Sequence, residues 1–350
     1  MKRTISALIA IFFIFQALSL FSCSSREKNK YTYNSFDYFD TVTSIIGYAE
    51  SEEDFKAVRE KICDSLSEYH KLYDIYHSYD GINNLYTVNH SDEEVTVDQR
   101  IIDLLLYSKQ MYQKSEGTLN IAMGSVLSIW HRYREHAINN PLNAEIPPEE
   151  LLLDAAEHTD IESLIINEET MSVRRADTKM TLDVGAIAKG YAVERIAEAL
   201  EKESISGYLI NVGGNVRALG IRGDGSLWKL GIENPDTQNV EEPYIAYLTI
   251  ESLSLVTSGN YQRFYEIDGV RYHHIIDPKT LFPSEYYMSV SVLCKDSGLA
   301  DALSTTLFST EIEKGRALIE SIDGAEAMWV MPNGEQLYSS GFESYFEDKK

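Results

Sequence analysis

The stretch LDVGAIAKGYAVERIAEALEK, residues 182–202, places small residues directly before a helical pattern. Its later apolar positions follow the i, i+3, i+4, i+7 spacing of an amphipathic helix: Val193, Ile196, Ala197 and Leu200. The small residues therefore lie at a helix entrance, where free N–H groups and the helix dipole favour an anion. Two interpretations remain open, a phosphate-binding turn and close packing against a neighbour. Neither G-x-x-x-x-G-K-[ST] nor G-x-G-x-x-G is present, so the stretch alone favours packing.

Outward from this stretch, helical and extended patterns alternate along the chain. Apolar periodicity predicts further helices at about 52–73, 97–115, 149–158, 298–308 and 311–322. Strand patterns occupy 31–49 and 325–331, and short strands fill most of 161–256. Because no βαβ rhythm is present, we predict an α+β fold with mixed, largely antiparallel sheets and packed helices. No repeat or linker divides residues 32–345.

The N-terminus has the pattern of an export signal. A charged start and an apolar run lead to Leu20-Phe21-Ser22-Cys23, which resembles a bacterial lipobox with Cys23 as the lipidated residue. A transmembrane helix is the alternative, but the run is short and contains Gln16. We expect a membrane-anchored lipoprotein on the extracytoplasmic side. The expected division is a signal peptide at 1–22, a tether at 23–31 and one domain at 32–350.

Charge and cysteine usage exclude several classes of function. The formal net charge is -24, which makes nucleic acid a poor partner. No C-x-x-C spacing occurs, so neither a zinc cage nor a disulfide framework is predicted. A single bridge between Cys63 and Cys294 remains an alternative in an exported protein.

The predicted helix at 298–308 carries a candidate metal site. Asp301 and Thr305 lie one turn apart, on the side opposite Leu303 and Leu307. Carboxylate and hydroxyl oxygens suit Mg²⁺, which usually takes one or two protein oxygens and completes its shell with water and phosphate. A solvated helix face is the alternative, and on either interpretation we expect Asp301 at the helix surface.

The segment YHHIIDPKTLFP, residues 272–283, suggests acid–base chemistry. His273 and His274 precede a turn at Asp277-Pro278, so at least one imidazole is expected at a strand end. Histidine can accept a proton from a hydroxyl nucleophile, although a buried structural histidine is the alternative. Arg263 precedes this segment, is always cationic, and has either a functional or a structural role. In a separate strand pattern, Gly213-Gly214 indicates a bulge or the close approach of another backbone or a ligand.

Taken together, five segments resemble the successive signatures of the bacterial FAD:protein FMN transferases, the ApbE class. In chain order they are DVGAIAKGYAVERI, INVGGNVRALG, TSGNYQRF, HHIIDPKT and ADALSTTLF. Upstream segments extend the resemblance over nearly all of residues 36–335: FDTVTSI, YDIYHSYDGINNLYTVN and SEGTLNIAMGSVLSIW. Five ordered motifs are more specific than any one of them, and residues 32–350 are then a flavin transferase domain.

The resemblance implies a role for each matching position. The implied Mg²⁺ ligands are the Ala186 carbonyl and the side chains of Asp301 and Thr305. The implied base is His274. The implied FAD contacts are Tyr76 beside the flavin, the pocket wall Thr118, Leu119 and Asn120, and Asp183, Lys189 and Ile275. Asn120 stands where the family usually has aspartate. Leu281 stands where it usually has glycine, and this difference leaves open the shape of the loop beside His274.

The implied reaction is Mg²⁺-dependent transfer of the FMN moiety of FAD to a threonine hydroxyl of a target protein, with release of AMP. The implied partners are FAD, the membrane through the lipid anchor, and acceptor flavoproteins of membrane or extracytoplasmic electron transport. Two alternatives stay open: an FAD pyrophosphatase that gives FMN and AMP, and a flavin-binding lipoprotein without catalysis.

Overall fold

The computed structural model describes residues 28–347. The predicted signal peptide and Cys23 lie outside the described residues. Strand β1 (Asn29–Tyr38) begins within the segment predicted as a tether. Asn29 pairs with Ala49 of the neighbouring strand, and the Tyr31 ring stacks on Phe55 at 5.4 Å, so residues 29–31 belong to the sheet.

Antiparallel pairing dominates the described residues, as predicted. After β1, the strands are β2 Thr41–Ala49, β3 Val95–Thr96, β4 Leu164–Asn167, β5 Ser172–Arg175, β6 Tyr208–Val212, β7 Asn215–Leu219, β8 Trp228–Glu233, β9 Tyr244–Ile250, β10 Ser254–Gly259, β11 Phe264–Ile267, β12 Val270–His273, β13 Ser289–Cys294, β14 Glu326–Val330 and β15 Gln336–Tyr338. The main sheet has eight strands in the order β1-β2-β6-β7-β10-β13-β14-β15. Three smaller sheets are β3-β5-β4, β8-β9 and β11-β12. This arrangement confirms the α+β class.

The helices match most of the predicted positions. They are α1 Glu52–Tyr73, α2 Leu85–Asn89, α3 Gln99–Lys114, α4 Gly124–Asn139, α5 Glu149–Ala156, α6 Ala188–Lys202, α7 Ser297–Phe308 and α8 Ile312–Glu320. The sequence pattern did not predict α4, which begins at a glycine without a capping side-chain hydrogen bond. Starts of that kind lack the Ser, Thr, Asp or Asn signal that marks a helix N-terminus.

The main sheet lies between helices and a hairpin. Buried residues of α7 and α8 pack on β13 and β14, and those of α1 and α6 pack on β2 and β6. The opposite face of the sheet is covered by β8 and β9, with Trp228 and Leu248 in that second layer. Both faces are therefore covered over the central strands, and α6 and α7 lie side by side on one of them.

Glycine decides how closely α6 and α7 approach. A Cβ atom at Gly190 would lie 2.3 Å from the Ser297 carbonyl oxygen and 2.4 Å from the Asp301 Cβ. No other residue fits this contact without displacing one helix. The packing interpretation of the small residues is therefore correct at Gly190. We refer to the contact formed by Gly190, Glu194, Ser297 and Asp301 as the α6–α7 seam.

The helix entrance also joins two hydrophobic cores. Leu182, Val184 and Ile187 pack with α3, whereas Val193 and Ile196 pack with α1 and β6.

Within residues 28–347, no helix has both the length and the apolar character needed to cross a membrane.

Candidate active site

Asp301 is the centre of the α6–α7 seam. Its Oδ2 accepts a hydrogen bond from the Gly190 N–H at 2.8 Å and lies 3.9 Å from the Lys189 Nζ. Only 4% of Asp301 is exposed, so the expectation of a helix-surface carboxylate is wrong. The close approach at Gly190 buries it. Burial raises the pKa of the Asp301 carboxyl, and the Lys189 charge, the Gly190 N–H and Asn215 offset this in part.

Hydroxyl groups surround the next turn of α7. The Thr305 Oγ1 lies 3.3 Å from the Ser258 Oγ on β10, and that Oγ lies 2.8 Å from the Ser304 Oγ. The predicted pair of Asp301 and Thr305 thus shares one side of α7 with two further hydroxyls. Sequence reasoning missed Ser304, which lies on α7 itself. It also missed Ser258, because the strand that brings Ser258 here is distant along the chain.

The turn before α6 supplies a carbonyl. The Gly190 N–H donates to Asp301 instead of closing the first helical turn on the Ala186 carbonyl. The Lys189 Nζ donates to the Gly185 carbonyl at 3.2 Å, so the lysine side chain folds back over this turn. A carbonyl not used by the helix, a buried carboxylate and hydroxyl groups form a set of hard oxygen donors that fits Mg²⁺. Within residues 28–347, no group of three or more His, Cys, Asp or Glu side chains has metal-site geometry.

Asp183 connects the helix entrance to the loop before α4. Its Oδ1 accepts the Gly185 N–H at 2.8 Å, and its own N–H donates to the Ile121 carbonyl at 2.8 Å. Burial raises the pKa of the Asp183 carboxyl, whereas the Gly185 N–H and the charges of His131, Lys189 and Arg263 lower it. Asp183 therefore faces a group of cations.

Arg134 and Arg263 form that cationic group, and His131 lies against it. The Arg134 Nη2 lies 2.8 Å from the His131 Nδ1, and burial and the Arg263 charge lower the pKa of Arg134. Among the described residues, no carboxylate lies within 4.0 Å of the side-chain nitrogens of Arg134 or Arg263. Unpaired arginines next to one another favour a bound anion. Sequence analysis left Arg263 undecided and missed Arg134, whose signal was the run WHRYREH in α4.

Tyr76 lies beside the same cations. Its ring centroid is 5.5 Å from that of His131, and half of the residue is exposed. Burial of the hydroxyl and the Asp183 charge raise the pKa of Tyr76 to about 12, so the phenol is neutral at physiological pH. An exposed, neutral aromatic ring can stack on a planar ligand. We refer to Tyr76, His131, Arg134, Arg263 and His274 as the cationic face.

The two histidines separate as a strand end requires. His273 is the last residue of β12, and it is buried, with its Nε2 2.8 Å from the Ser284 carbonyl and its Nδ1 accepting the Ile275 N–H. His274 has a buried Nδ1 without a partner among the described residues. Burial lowers the pKa of His274 to about 3, and the charges of Arg263 and Arg134 contribute to the decrease. His274 is therefore a neutral imidazole with an unused nitrogen, whereas His273 is structural.

The predicted pocket wall is brought only partly into the site. Leu119 and Ile275 have their side chains in hydrophobic cores, so neither faces the cationic face with its side chain. Thr118 is half-buried. Asn120 bonds through its amide to the Thr159 carbonyl and the Ala122 N–H, each at 2.9 Å, and lines a cavity of about 410 Å³. That cavity is lined on another side by Pro278 and Lys279 of the loop after His274.

Leu281 keeps the loop in a conformation that suits glycine. Its φ is 63°, in the left-handed region, and its carbonyl accepts the Trp130 Nε1–H at 2.8 Å. Its side chain is buried against α4 and β11. The left-handed backbone costs about 1–2 kcal/mol for a residue other than glycine, and the burial of leucine offsets it.

Comparisons with known proteins point to one family. The model of the ApbE family matches residues 39–329. An FAD:protein FMN transferase of Klebsiella pneumoniae (strain 342) is 34% identical over 256 residues, covering 72% of this chain and 76% of the relative. One of Treponema pallidum (strain Nichols) is 33% identical over 261 residues, covering 71% of this chain and 70% of the relative.

Solved structures give the same result. The ApbE protein from Thermotoga maritima has a TM-score of 0.78 at 25% identity, covering 91% of this chain and 100% of that chain. The flavin transferase ApbE from Vibrio cholerae has a TM-score of 0.74 at 25% identity, covering 91% and 99%. The chain that carries the α6–α7 seam and the cationic face belongs to the ApbE family.

Proposed function

We propose that this protein transfers the FMN moiety of FAD to a threonine hydroxyl of an acceptor protein and releases AMP. The observation that carries the proposal is the neutral His274, whose Nδ1 has no partner among the described residues and which lies near the charges of Arg263, Arg134 and Lys189. The names of the relatives, FAD:protein FMN transferase, support the same reaction. A flavin carrier without catalysis would have no use for a base and a set of hard oxygen donors beside an anion site.

The residues around the α6–α7 seam are suited to hold Mg²⁺. The Ala186 carbonyl, the Asp301 carboxylate and the Thr305 hydroxyl would be its protein ligands. When bound, the ion would polarise the phosphate oxygens and stabilise the negative charge on departing AMP. The Lys189 ammonium lies near Asp301 and adds a second positive charge at the same point.

The cationic face performs the remaining steps. Arg134 and Arg263 bind the pyrophosphate, and the Tyr76 ring packs beside the isoalloxazine. The threonine Oγ attacks the phosphorus of the FMN half, one P–O bond forms, and the P–O bond to AMP breaks. His274 takes the hydroxyl proton, which a neutral imidazole can do. Bound phosphates would raise the low proton affinity of His274, because they neutralise the arginines beside it.

The position of the protein in the cell is also part of the proposal. An exported lipoprotein anchored at Cys23 would meet acceptor flavoproteins of membrane or extracytoplasmic electron transport. Replacement Cys23→Ser should abolish labelling by a fatty acid analogue in cells, because the acylated sulfur is removed. Unchanged labelling of this variant would contradict the anchor.

One assay distinguishes the transferase from its alternatives. Purified protein is incubated with FAD and Mg²⁺, with and without a threonine-containing acceptor, and FAD, FMN, AMP and acceptor-bound flavin are separated. We expect AMP and acceptor-bound flavin in equal amounts, and neither when the acceptor threonine is replaced by valine. Free FMN without acceptor would indicate a pyrophosphatase, and unchanged FAD would indicate a carrier.

A further inference from the structure

The two helices of the α6–α7 seam exchange hydrogen bonds reciprocally. The Gly190 N–H of α6 donates to the Asp301 carboxylate of α7 at 2.8 Å. The Ser297 N–H, at the first position of α7, donates to the Glu194 carboxylate of α6 at 2.7 Å. Each helix thus satisfies an N-terminal backbone donor of the other, and both carboxylates lie at the positive end of a helix dipole.

The spacing of the two hydrogen bonds is the same on each helix. Gly190 and Glu194 are four residues apart, as are Ser297 and Asp301, so the bonds join matching turns. A shift of α7 by one turn along α6 would break both. Together the two bonds fix the register in which Asp301 meets the helix entrance.

Glu194 is itself held in place by a buried arginine. The Arg217 guanidinium on β7 is 0% exposed and donates to both carboxylate oxygens of Glu194, at 3.0 and 3.3 Å. Arg217 also donates to Glu201 at 2.9 Å. Burial by itself would lower the pKa of the Arg217 guanidinium. The hydrogen bonds and charges of Glu194 and Glu201 outweigh this effect, so the pKa is raised. The carboxylate that receives Ser297 therefore has a fixed position relative to the main sheet.

We infer that Glu194 is a positioning residue for the divalent cation, because its bond to the Ser297 N–H holds Asp301 and Thr305 in register with the Ala186 turn. The inference rests on the proposed function, since it concerns the proposed Mg²⁺ ligands. Glu194 touches none of these ligands and acts only through the backbone of α7. No role for Glu194 in catalysis or FAD binding is implied.

The test isolates the bond to Ser297 from the buried ion pair. Removing one charge of a buried pair is strongly destabilising, whereas replacing both is often neutral. We therefore compare Glu194→Gln with Glu194→Leu, each combined with Arg217→Met. Glutamine can still accept the Ser297 N–H, whereas leucine of similar size cannot. The readouts are the dissociation constant of Mg²⁺ in the presence of FAD, measured by calorimetry, and FAD affinity in excess chelator.

We expect the glutamine variant to bind Mg²⁺ within about 3-fold of the wild type and the leucine variant to bind it at least about 10-fold more weakly. FAD affinity in chelator should be equal in both. Equal Mg²⁺ affinity of the two folded variants would overturn the inference. A wild type without Mg²⁺ binding would instead overturn the proposed metal site, and the positioning role with it.

A second pair of variants applies if the leucine variant does not fold. Ser297→Pro removes the N–H together with the hydroxyl, at the helix position where proline is most readily accepted, and the preceding Asp296 is extended, as proline requires. Ser297→Ala keeps the N–H and removes a hydroxyl that has no partner among the described residues. We expect weaker Mg²⁺ binding by the proline variant alone. Equal binding by both variants would again overturn the inference.

Discussion

The α6–α7 seam and the cationic face differ in how fully their polar groups are used. In the seam, Asp301 and Glu194 each accept a backbone N–H from the opposite helix, and both residues are buried. On the cationic face, the His274 Nδ1 has no partner among the described residues, and Arg263 and Tyr76 are exposed. The α6–α7 seam is therefore organised before any ligand binds, whereas the cationic face has unused groups that a ligand can satisfy.

The largest effect is expected in the seam. Asp301→Asn keeps the shape of the side chain and an acceptor for the Gly190 N–H but removes the charge that a divalent cation requires. We expect a loss of turnover on the order of 10⁴-fold, since the ion contributes several kcal/mol to the transition state. The measurement is the initial rate of AMP release at saturating FAD and Mg²⁺.

The matched control for this variant lies on the same helix. Asp296 caps α7 through the Leu299 N–H at 2.9 Å, and asparagine is an equally good cap. Asp296→Asn should therefore keep the wild-type rate. If Asp301→Asn also keeps it, the seam is structural and not catalytic.

The next effect belongs to the cationic face. His274→Asn should lower the rate of transfer by about 10²–10⁴-fold with little change in FAD affinity, because the proton is accepted only in the transition state. His273→Asn is the control, since it breaks the bond to the Ser284 carbonyl and should lower the melting temperature instead. If His273→Asn instead loses the transfer rate and His274→Asn loses only thermal stability, His273 and not His274 is the base.

A smaller effect is expected on ligand binding. Arg263→Gln should weaken FAD about 10-fold at constant kcat, because one charge-assisted hydrogen bond to an anion is lost. Arg271→Gln on the same hairpin is the control, since Arg271 pairs with Glu266 and contacts the Phe264 ring. Fluorescence titration of FAD compares the two. Equal affinities would exclude Arg263 from the anion site.

The smallest effect concerns the pH dependence of stability. The pKa of His274 is about 3 in the folded protein and near 6.5 when exposed, so between these values the unfolded chain binds a proton that the folded chain does not. Stability should fall as pH decreases below about 6.5, by at most about 1.4 kcal/mol per pH unit for one group, less with solvent screening. The free energy of unfolding, measured with urea at several pH values, should decrease less steeply with falling pH in His274→Gln than in the wild type. An equal pH dependence in the two proteins would contradict the burial of His274.

Local patterns in the sequence were enough for the parts of the site that lie within one element. Periodicity predicted α6 and α7 and placed Asp301 and Thr305 on one side of α7. The Asp277-Pro278 turn placed a histidine at the end of β12, as observed. Such features follow from spacing alone.

Features that depend on contacts between distant segments could not be predicted. The burial of Asp301 follows from the close approach at Gly190, and the hydroxyl of Ser258 arrives on a separate strand. Leu281 has a left-handed backbone that its residue type disfavours, because Trp130 and the surrounding core hold the loop. Leu119 was identified by resemblance, but its side chain is 2% exposed and packs in the core.

On the proposed function, the α6–α7 seam holds one divalent cation beside bound FAD. Titration of the protein with Mn²⁺ in the presence of FAD, followed by electron paramagnetic resonance, tests it most directly, because the signal of free Mn²⁺ decreases as the ion binds. We expect about one bound Mn²⁺ per chain in the wild type and none in Asp301→Asn at the same concentrations. Equal binding by the two proteins would contradict it.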